Sequence, residues 1–206
     1  MTKPTGEIGI DEVGRGPLAG PVTVCACYVA NKSKASKEYF NQTIRDSKKV
    51  KKDLREKIFQ TIRKNSKLNN DIKFVVCSQK AEFIDRHGIN KAIQKCIDNC
   101  LIKLDKELLK NGIEINDLNI KMDGGLKAKK TYKNQESFIK GDEKYVSIAL
   151  ASIIAKVKRD DYMLKLSRFF PDYAWDKNVG YGTEEHIKSI KKNGVTKYHR
   201  KTFINL

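Results

Sequence analysis

Two acids stand side by side in an otherwise apolar stretch, Gly9-Ile10-Asp11-Glu12-Val13-Gly14-Arg15-Gly16. A buried carboxylate without a partner is strongly disfavoured and takes up a proton instead. A divalent cation removes that penalty. Asp123 ends another apolar run, LNIKMDGG, and Asp160, with Asp161 beside it, lies in a third segment, ASIIAKVKRDD. Carboxylates from separated segments, with no histidine among them, suit a hard cation such as Mg²⁺ or Mn²⁺ rather than zinc. The chemistry this spacing allows is that of a metal-dependent nuclease or phosphotransferase. Taken singly, Asp123 could equally shape an Asp-Gly turn, and Asp160 or Asp161 could be a solvated helix charge. Spacing does not choose between the last two. Neighbouring strand residues also point to opposite faces, so Asp11 and Glu12 can share a site only through a distortion near Gly14 or at the strand's end.

The elements that must position these acids follow from periodicity. Residues 7–13 and 21–30 read as strands joined by the turn GRGPLAG. A helix is expected at 51–64, where Leu54, Ile58, Phe59 and Ile62 mark one face, and a strand at 71–78. Ile89, Ile93, Ile97, Leu101, Leu104 and Leu108 recur at helical spacing up to Asn111-Gly112. A short strand is expected within 118–125, a long helix over 146–170 whose small residues permit close packing on a sheet, and a last helix at 183–193. Strands first, with helices between and after them, imply an α/β domain with a mixed sheet flanked by helices and a helical C-terminal extension. The expected division is a catalytic domain over 1–164 with the extension, 165–206, packed on it.

Forty-two Lys and Arg against twenty-five Asp and Glu leave a net charge of +17, which points to a polyanionic partner. No apolar run is long enough to cross a membrane, and the N-terminal stretch lacks the apolar core of a secretion signal. Five cysteines, Cys25, Cys27, Cys77, Cys96 and Cys100, lie in apolar stretches without a CxxC pair. Buried thiols in a reducing cytoplasm are expected, and no zinc site.

The chain also resembles ribonuclease HII, nearly end to end. GIDEVGRGPLAGPV (9–22) is similar to that family's N-terminal signature, Asp46-Ser47-Lys48-Lys49 to its DSKK element, and IDRHGINKAI (84–93) to its helix entry. MDGG (122–125), IKGD (139–142), ASIIAKVKRD (151–160), GYGTEEH (180–186) and HRKTF (199–203) follow in the family's order. The resemblance implies a ribonuclease H-like fold and a catalytic, metal-binding set of Asp11, Glu12, Asp123 and Asp160, leaving Asp161 outside. It implies two-metal hydrolysis with Mg²⁺ or Mn²⁺. The substrates it implies are the RNA strand of RNA/DNA hybrids and duplex DNA containing single ribonucleotides, cut on the ribonucleotide's 5′ side to leave 5′-phosphate and 3′-hydroxyl ends. Gly14, Arg15, Gly16 and Tyr181 would recognise the ribonucleotide, and Lys48 would contact phosphate. Val13 matches the type 2 pattern, where type 3 enzymes usually carry serine. Gly125 and the helix start Ser147-Ile148-Ala149-Leu150 depart from the family's common residues without removing an acid.

Other readings of single residues are plainer. Tyr181 alone could pack on the domain, Arg15 could be a surface salt bridge, and His186 and His199 are expected to be structural. LKLSRFF (164–170) has Met163 where a clamp-binding box needs glutamine, so core packing is expected there and sliding-clamp recruitment is not indicated. A monomer is expected. The rivals are a non-catalytic hybrid-binding protein, which has no use for four acids, and another nuclease of the same general fold, which has no use for the GRG turn and Tyr181.

Overall fold

The computed structural model describes residues 6–40 and 51–205. Strands β1 (Glu7–Val13), β2 (Val22–Val29), β3 (Ile72–Gln79), β4 (Asn119–Asp123) and β5 (Gln135–Phe138) form one sheet in the order β3-β2-β1-β4-β5. The helices are α1 (Lys32–Phe40), α2 (Lys52–Leu68), α3 (Ala81–His87), α4 (Ile89–Leu109), α5 (Val146–Ser167), α6 (Trp175–Asn178) and α7 (Glu184–Asn193). β1, β2 and β3 pair antiparallel, whereas β4 lies parallel to β1 and β5 parallel to β4. The parallel pairing needs a long crossover, and the segment carrying α3 and α4 supplies it between β3 and β4.

Each face of the sheet is covered for a reason visible in the sequence. β2 is buried on both faces, so it reads as a continuous apolar run, VTVCACYV. On one face α4 brings Ala92, Ile93, Ile97, Leu101, Leu104 and Leu108 against Ile8, Ile10, Ile120 and Met122. On the other, α2 and α5 pack over Cys25, Cys27 and Val29. All five cysteines are free and buried. A third cluster, with Trp175 at its centre and Ala19, Met163, Leu166, Tyr173 and Ile190 around it, lies where α5 meets the C-terminal segments. α5 itself runs through position 164 and on to Ser167. Among the described residues, no helix is long and apolar enough to cross a membrane.

The alternation of β1 places Ile8 and Ile10 on the α4 side and Gly9, Asp11 and Val13 on the α5 side. Gly9 is what lets α5 come close. A Cβ built there would overlap the backbone of Ser147 and Ile148. At the buried start of the same strand, Glu7 accepts from the Ser147 hydroxyl at 2.8 Å and pairs with Lys121 at 2.9 Å. That acid has its cation from the chain.

Because the atoms facing Gly9 are backbone, no rotamer change can make room for a methyl group. Gly9→Ala should therefore destabilise the protein by about 3 kcal/mol, the upper end of overpacking. This corresponds to a melting temperature lower by on the order of 10 °C. An unchanged calorimetric melting curve would mean that α5 does not rest on β1 at this spacing.

Candidate active site

β1 and β4 run side by side and parallel, with Ile10 opposite Met122, so the next residues, Asp11 and Asp123, are neighbours across the strand pair. Ile120 and Met122 face α4, which turns Asp123 to the α5 side together with Asp11. Glu12 points to the other face of β1. The strand is regular through Val13, paired with Thr23, and the two acids share a site at its end. Asp11, Glu12 and Asp123 line one cavity of about 290 Å³ with Ser152, Lys156, Arg55 and Tyr181.

The electrostatics of that cavity are set first by burial. Burial pushes the Asp11 carboxyl well above its usual range, and the Glu12 and Asp123 charges push it further. Hydrogen bonds from the Ser152 hydroxyl and the Glu12 amide, the latter at 2.7 Å, oppose this only in part. Glu12 is raised too, first by burial, although Arg15 at 3.2 Å lowers it. Asp123 accepts the Gly141 amide at 2.7 Å.

Asp160 stands apart from these three. Ser152, Lys156 and Asp160 follow one another at four-residue spacing along α5. Ser152 touches Asp11, which puts Asp160 about 12 Å further along the helix axis. Lys156 fills the interval and holds Asp160 at 2.8 Å. Among the described residues, no three His, Cys, Asp or Glu side chains are gathered closely enough to hold a metal ion. Asp160 lines instead an adjoining cavity of about 560 Å³ that shares Arg55 and Lys156 with the first. Asp161 lines the same adjoining cavity and pairs with Lys165 at 2.8 Å, half exposed.

The other expected site residues fall into three groups. Tyr181, 42% exposed, lines the cavity with the acids. Gly14, Arg15 and Gly16 follow directly on β1 without lining it, and Arg15 is engaged by Glu12 and by Asn90 at 2.9 Å. Lys48, with the rest of 46–49, lies outside the described residues. Lys140, a further basic side chain near the IKGD loop, pairs with Glu143. Sequence reasoning missed Arg55, Ser152 and Lys156, although the four-residue spacing back from Asp160 was a signal for the last two.

Both buried histidines act on Tyr181. The Thr196 amide donates to His199 Nδ1 at 2.9 Å, so the His199 proton sits on Nε2. Trp175 Nε1–H donates to His186 Nε2 at 3.0 Å, which makes that nitrogen the acceptor for His199 Nε2–H at 3.2 Å as well. The remaining His186 proton is then on Nδ1 and donates to the Tyr181 carbonyl at 2.8 Å. Burial pushes both imidazoles down, His199 to about 4, which keeps this one-directional chain neutral and intact near pH 7. The expectation that these histidines are structural holds, and what they hold is the tyrosine.

The chain is similar to known proteins in sequence and in fold. The family model described as ribonuclease HII matches residues 8–206. Ribonuclease HII of Pelagibacter ubique is 42% identical over 198 residues, covering 95% of this chain and 94% of the relative. The RNase HII solved in complex with PCNA from Archaeoglobus fulgidus superposes with a TM-score of 0.70 at 22% identity, over 97% of this chain and 96% of that one. Bst-RNase HIII in complex with Mn²⁺ gives 0.69 at 21% identity, over 97% of this chain and 65% of that one. At such identities these two structures share the fold. With the family model spanning nearly all of it, the chain belongs to the ribonuclease HII family and is a metal-dependent ribonuclease.

Proposed function

We propose that this enzyme hydrolyses the RNA strand of RNA/DNA hybrids and cuts duplex DNA on the 5′ side of a single embedded ribonucleotide. The observation that carries this reading is the shared cavity, in which Tyr181 stands beside Asp11, Glu12 and Asp123. An aromatic ring there can stack on the sugar or base next to the scissile phosphodiester, and recognition of a 2′-hydroxyl is how RNA is told from DNA at one nucleotide. The net charge of +17 favours a polyanionic duplex.

Asp11, Glu12, Asp123 and Asp160 would hold the divalent cations, Mg²⁺ or Mn²⁺. The donors of Asp11, Glu12 and Asp123 fit, being all oxygen with the first two raised toward the protonated form by burial, whereas Asp160 stands apart on Lys156. Bound there, such ions neutralise the phosphate and lower the pKa of water. For the fourth carboxylate to join the others, Asp160 would have to leave Lys156 and α5 would have to shift, because that carboxylate starts about 12 Å along the helix from Ser152. Arg55 and Lys156 add positive charge on the side where a phosphate would enter. Water's oxygen bonds to phosphorus and the 3′ oxygen leaves as a hydroxyl, so the phosphate stays on the 5′ end. The 2′-hydroxyl is read and not consumed.

The same reading treats 1–164 as the catalytic domain and 165–206 as an extension whose task is to supply Tyr181. That reading also takes the enzyme as a monomer. Five unpaired cysteines fit a reducing cytoplasm. Leu166 faces the core beside Met163, which supports a packing role for that part of the 164–170 segment, while Leu164 and Phe169 are exposed.

Asp11→Asn and Asp160→Asn should abolish cleavage while leaving hybrid binding nearly intact, whereas Asp161→Asn should stay close to wild type. The raised Asp11 carboxyl stabilises the metal-free fold only below its folded-state pKa and loses that contribution as pH rises through it. Asp11→Asn should therefore melt higher than wild type at pH 7 in chelator, by about 2–4 °C per kcal/mol of repulsion relieved. An active Asp11→Asn enzyme, or equal losses for Asp160→Asn and Asp161→Asn, would overturn the four-acid assignment.

Tyr181→Ala tests the reader. Loss of one stacking partner is worth about ten- to hundredfold, by analogy with base–aromatic contacts. It should fall on the single-ribonucleotide duplex and spare long hybrids, where many registers bind productively. Equal losses on both substrates, tracking a lower melting temperature, would assign the ring a packing role only.

A further inference from the structure

Two arginines lie inside the protein around the GRG turn, Arg159 on α5 and Arg200 in the C-terminal segment, both essentially without solvent exposure. Neither forms an ion pair with a carboxylate among the described residues; their N–H groups go to main-chain carbonyls. Arg200 donates to Gly14 at 2.6 Å, Arg15 at 3.0 Å and Gly20 at 3.0 Å. Arg159 donates to Pro21 at 2.9 Å, Ala19 at 3.1 Å and Val179 at 2.9 Å. Removing two guanidinium charges from water is expensive, and apolar side chains of the same volume commonly give as stable a fold. What a planar fork supplies that an apolar side chain does not is the direction of each carbonyl it binds.

That direction matters at Gly14 and Arg15. In a trans peptide the C=O and the following N–H point opposite ways. With the Gly14 and Arg15 carbonyls drawn inward to Arg200, the N–H groups of Arg15 and Gly16 are turned outward. Both residues are exposed, and neither amide has a hydrogen-bond acceptor among the described residues. A Cβ at Gly16 would meet nothing within 4 Å, so that side of the turn is open to a ligand. Gly14 has φ +85° and packs its bare Cα on the Arg159 guanidinium, where a side chain would clash. Arg159 in turn reaches Val179, two residues before Tyr181, and precedes Asp160 directly. The amides of Leu18 and Ala19 close the join by donating to the Gly180 carbonyl at 2.8 and 3.1 Å.

We propose that Arg159 and Arg200 are specificity-positioning residues, which fix the outward amides of Arg15 and Gly16 and the Tyr181 loop as one rigid reader of the ribose and tie it to the helix bearing Asp160. The proposal rests on the reading that the GRG turn and Tyr181 recognise the ribonucleotide. Neither arginine touches substrate. Arg159 ties the turn and the Tyr181 loop to α5.

The test compares kcat and KM on two substrates, a DNA duplex with one ribonucleotide and a long RNA/DNA hybrid. Arg200→Lys keeps the charge but cannot orient three carbonyls. It should lower kcat on the single-ribonucleotide duplex by about ten- to hundredfold, the effect of misplacing a reacting bond by an ångström. The hybrid's kcat should change little. A milder variant covers the case in which Arg200→Lys does not fold. Asp85 accepts the Lys201 amide at 3.0 Å and the Thr202 amide and hydroxyl at 3.1 and 2.7 Å, anchoring the segment just after Arg200. Asp85→Asn should shift the same ratio in the same direction by less. Arg200→Lys decides the outcome if it melts cooperatively, and Asp85→Asn decides it otherwise; an unchanged substrate ratio in the deciding variant overturns the proposal. Tyr181→Ala separates the two levels. If it shifts the ratio and the arginine-side variant does not, the positioning role fails alone, and if it shifts nothing, the reading of the reader itself has failed.

Discussion

Burial of the Asp11 and Glu12 carboxyls beside Asp123 is the constraint around which this fold is built. The chain brings three carboxylates to the ends of two adjacent parallel strands, buries Asp11 and half-buries the other two, and among the described residues gives Asp11 no ion pair of the kind Lys121 makes with Glu7. Such a site opposes folding, and the scaffold must overcome it. It does so with a strand buried on both faces, β2, and with a helix seated on β1 at van der Waals distance through Gly9. α5 then serves three ends at once: it covers the sheet, touches Asp11 through Ser152, and carries Asp160 beyond the strand's end.

Lys156 answers the same constraint from the other side. Held on Asp160 and lining both cavities, it neutralises that carboxylate, which stands apart from the other three. A cavity with two carboxyls raised toward protonation is poised for added positive charge, as a metal-dependent ribonuclease requires. Arg15 bears the same relation to Glu12 at the opposite rim.

Much of this was legible before the structure. β1 to β4, α2, α4, α5 and α7 are long or strongly periodic, and burial enforces their patterns. The elements that escaped lack such a pattern. β5 is four residues, QESF, on a sheet edge with two exposed positions, and α1 is mostly lysine and small polar residues. α3 merges in sequence with α4, and only Gly88, at φ +81°, separates them. Of the site, the acids were visible as types and Tyr181 as part of a motif, and the structure places three acids and the tyrosine together. The distance of Asp160 from the others was not legible, because it depends on how far α5 runs past the end of β1. Nor were Arg159 and Arg200. Each reads as one more basic residue in a chain with forty-two, and its meaning lies in carbonyls up to 186 residues away.

The measurement that bears most directly on this account uses the wild-type enzyme and one substrate. A DNA duplex holding a single ribonucleotide is incubated with Mg²⁺, with Mn²⁺ and with chelator, and the product ends are mapped. The carboxylate cavity beside Tyr181 predicts one cut, on the 5′ side of the ribonucleotide, leaving a 3′-hydroxyl and a 5′-phosphate, and no cut in chelator. Cleavage in chelator, or a 2′,3′-cyclic phosphate at the cut, would make the 2′-hydroxyl the nucleophile and contradict the account at its centre.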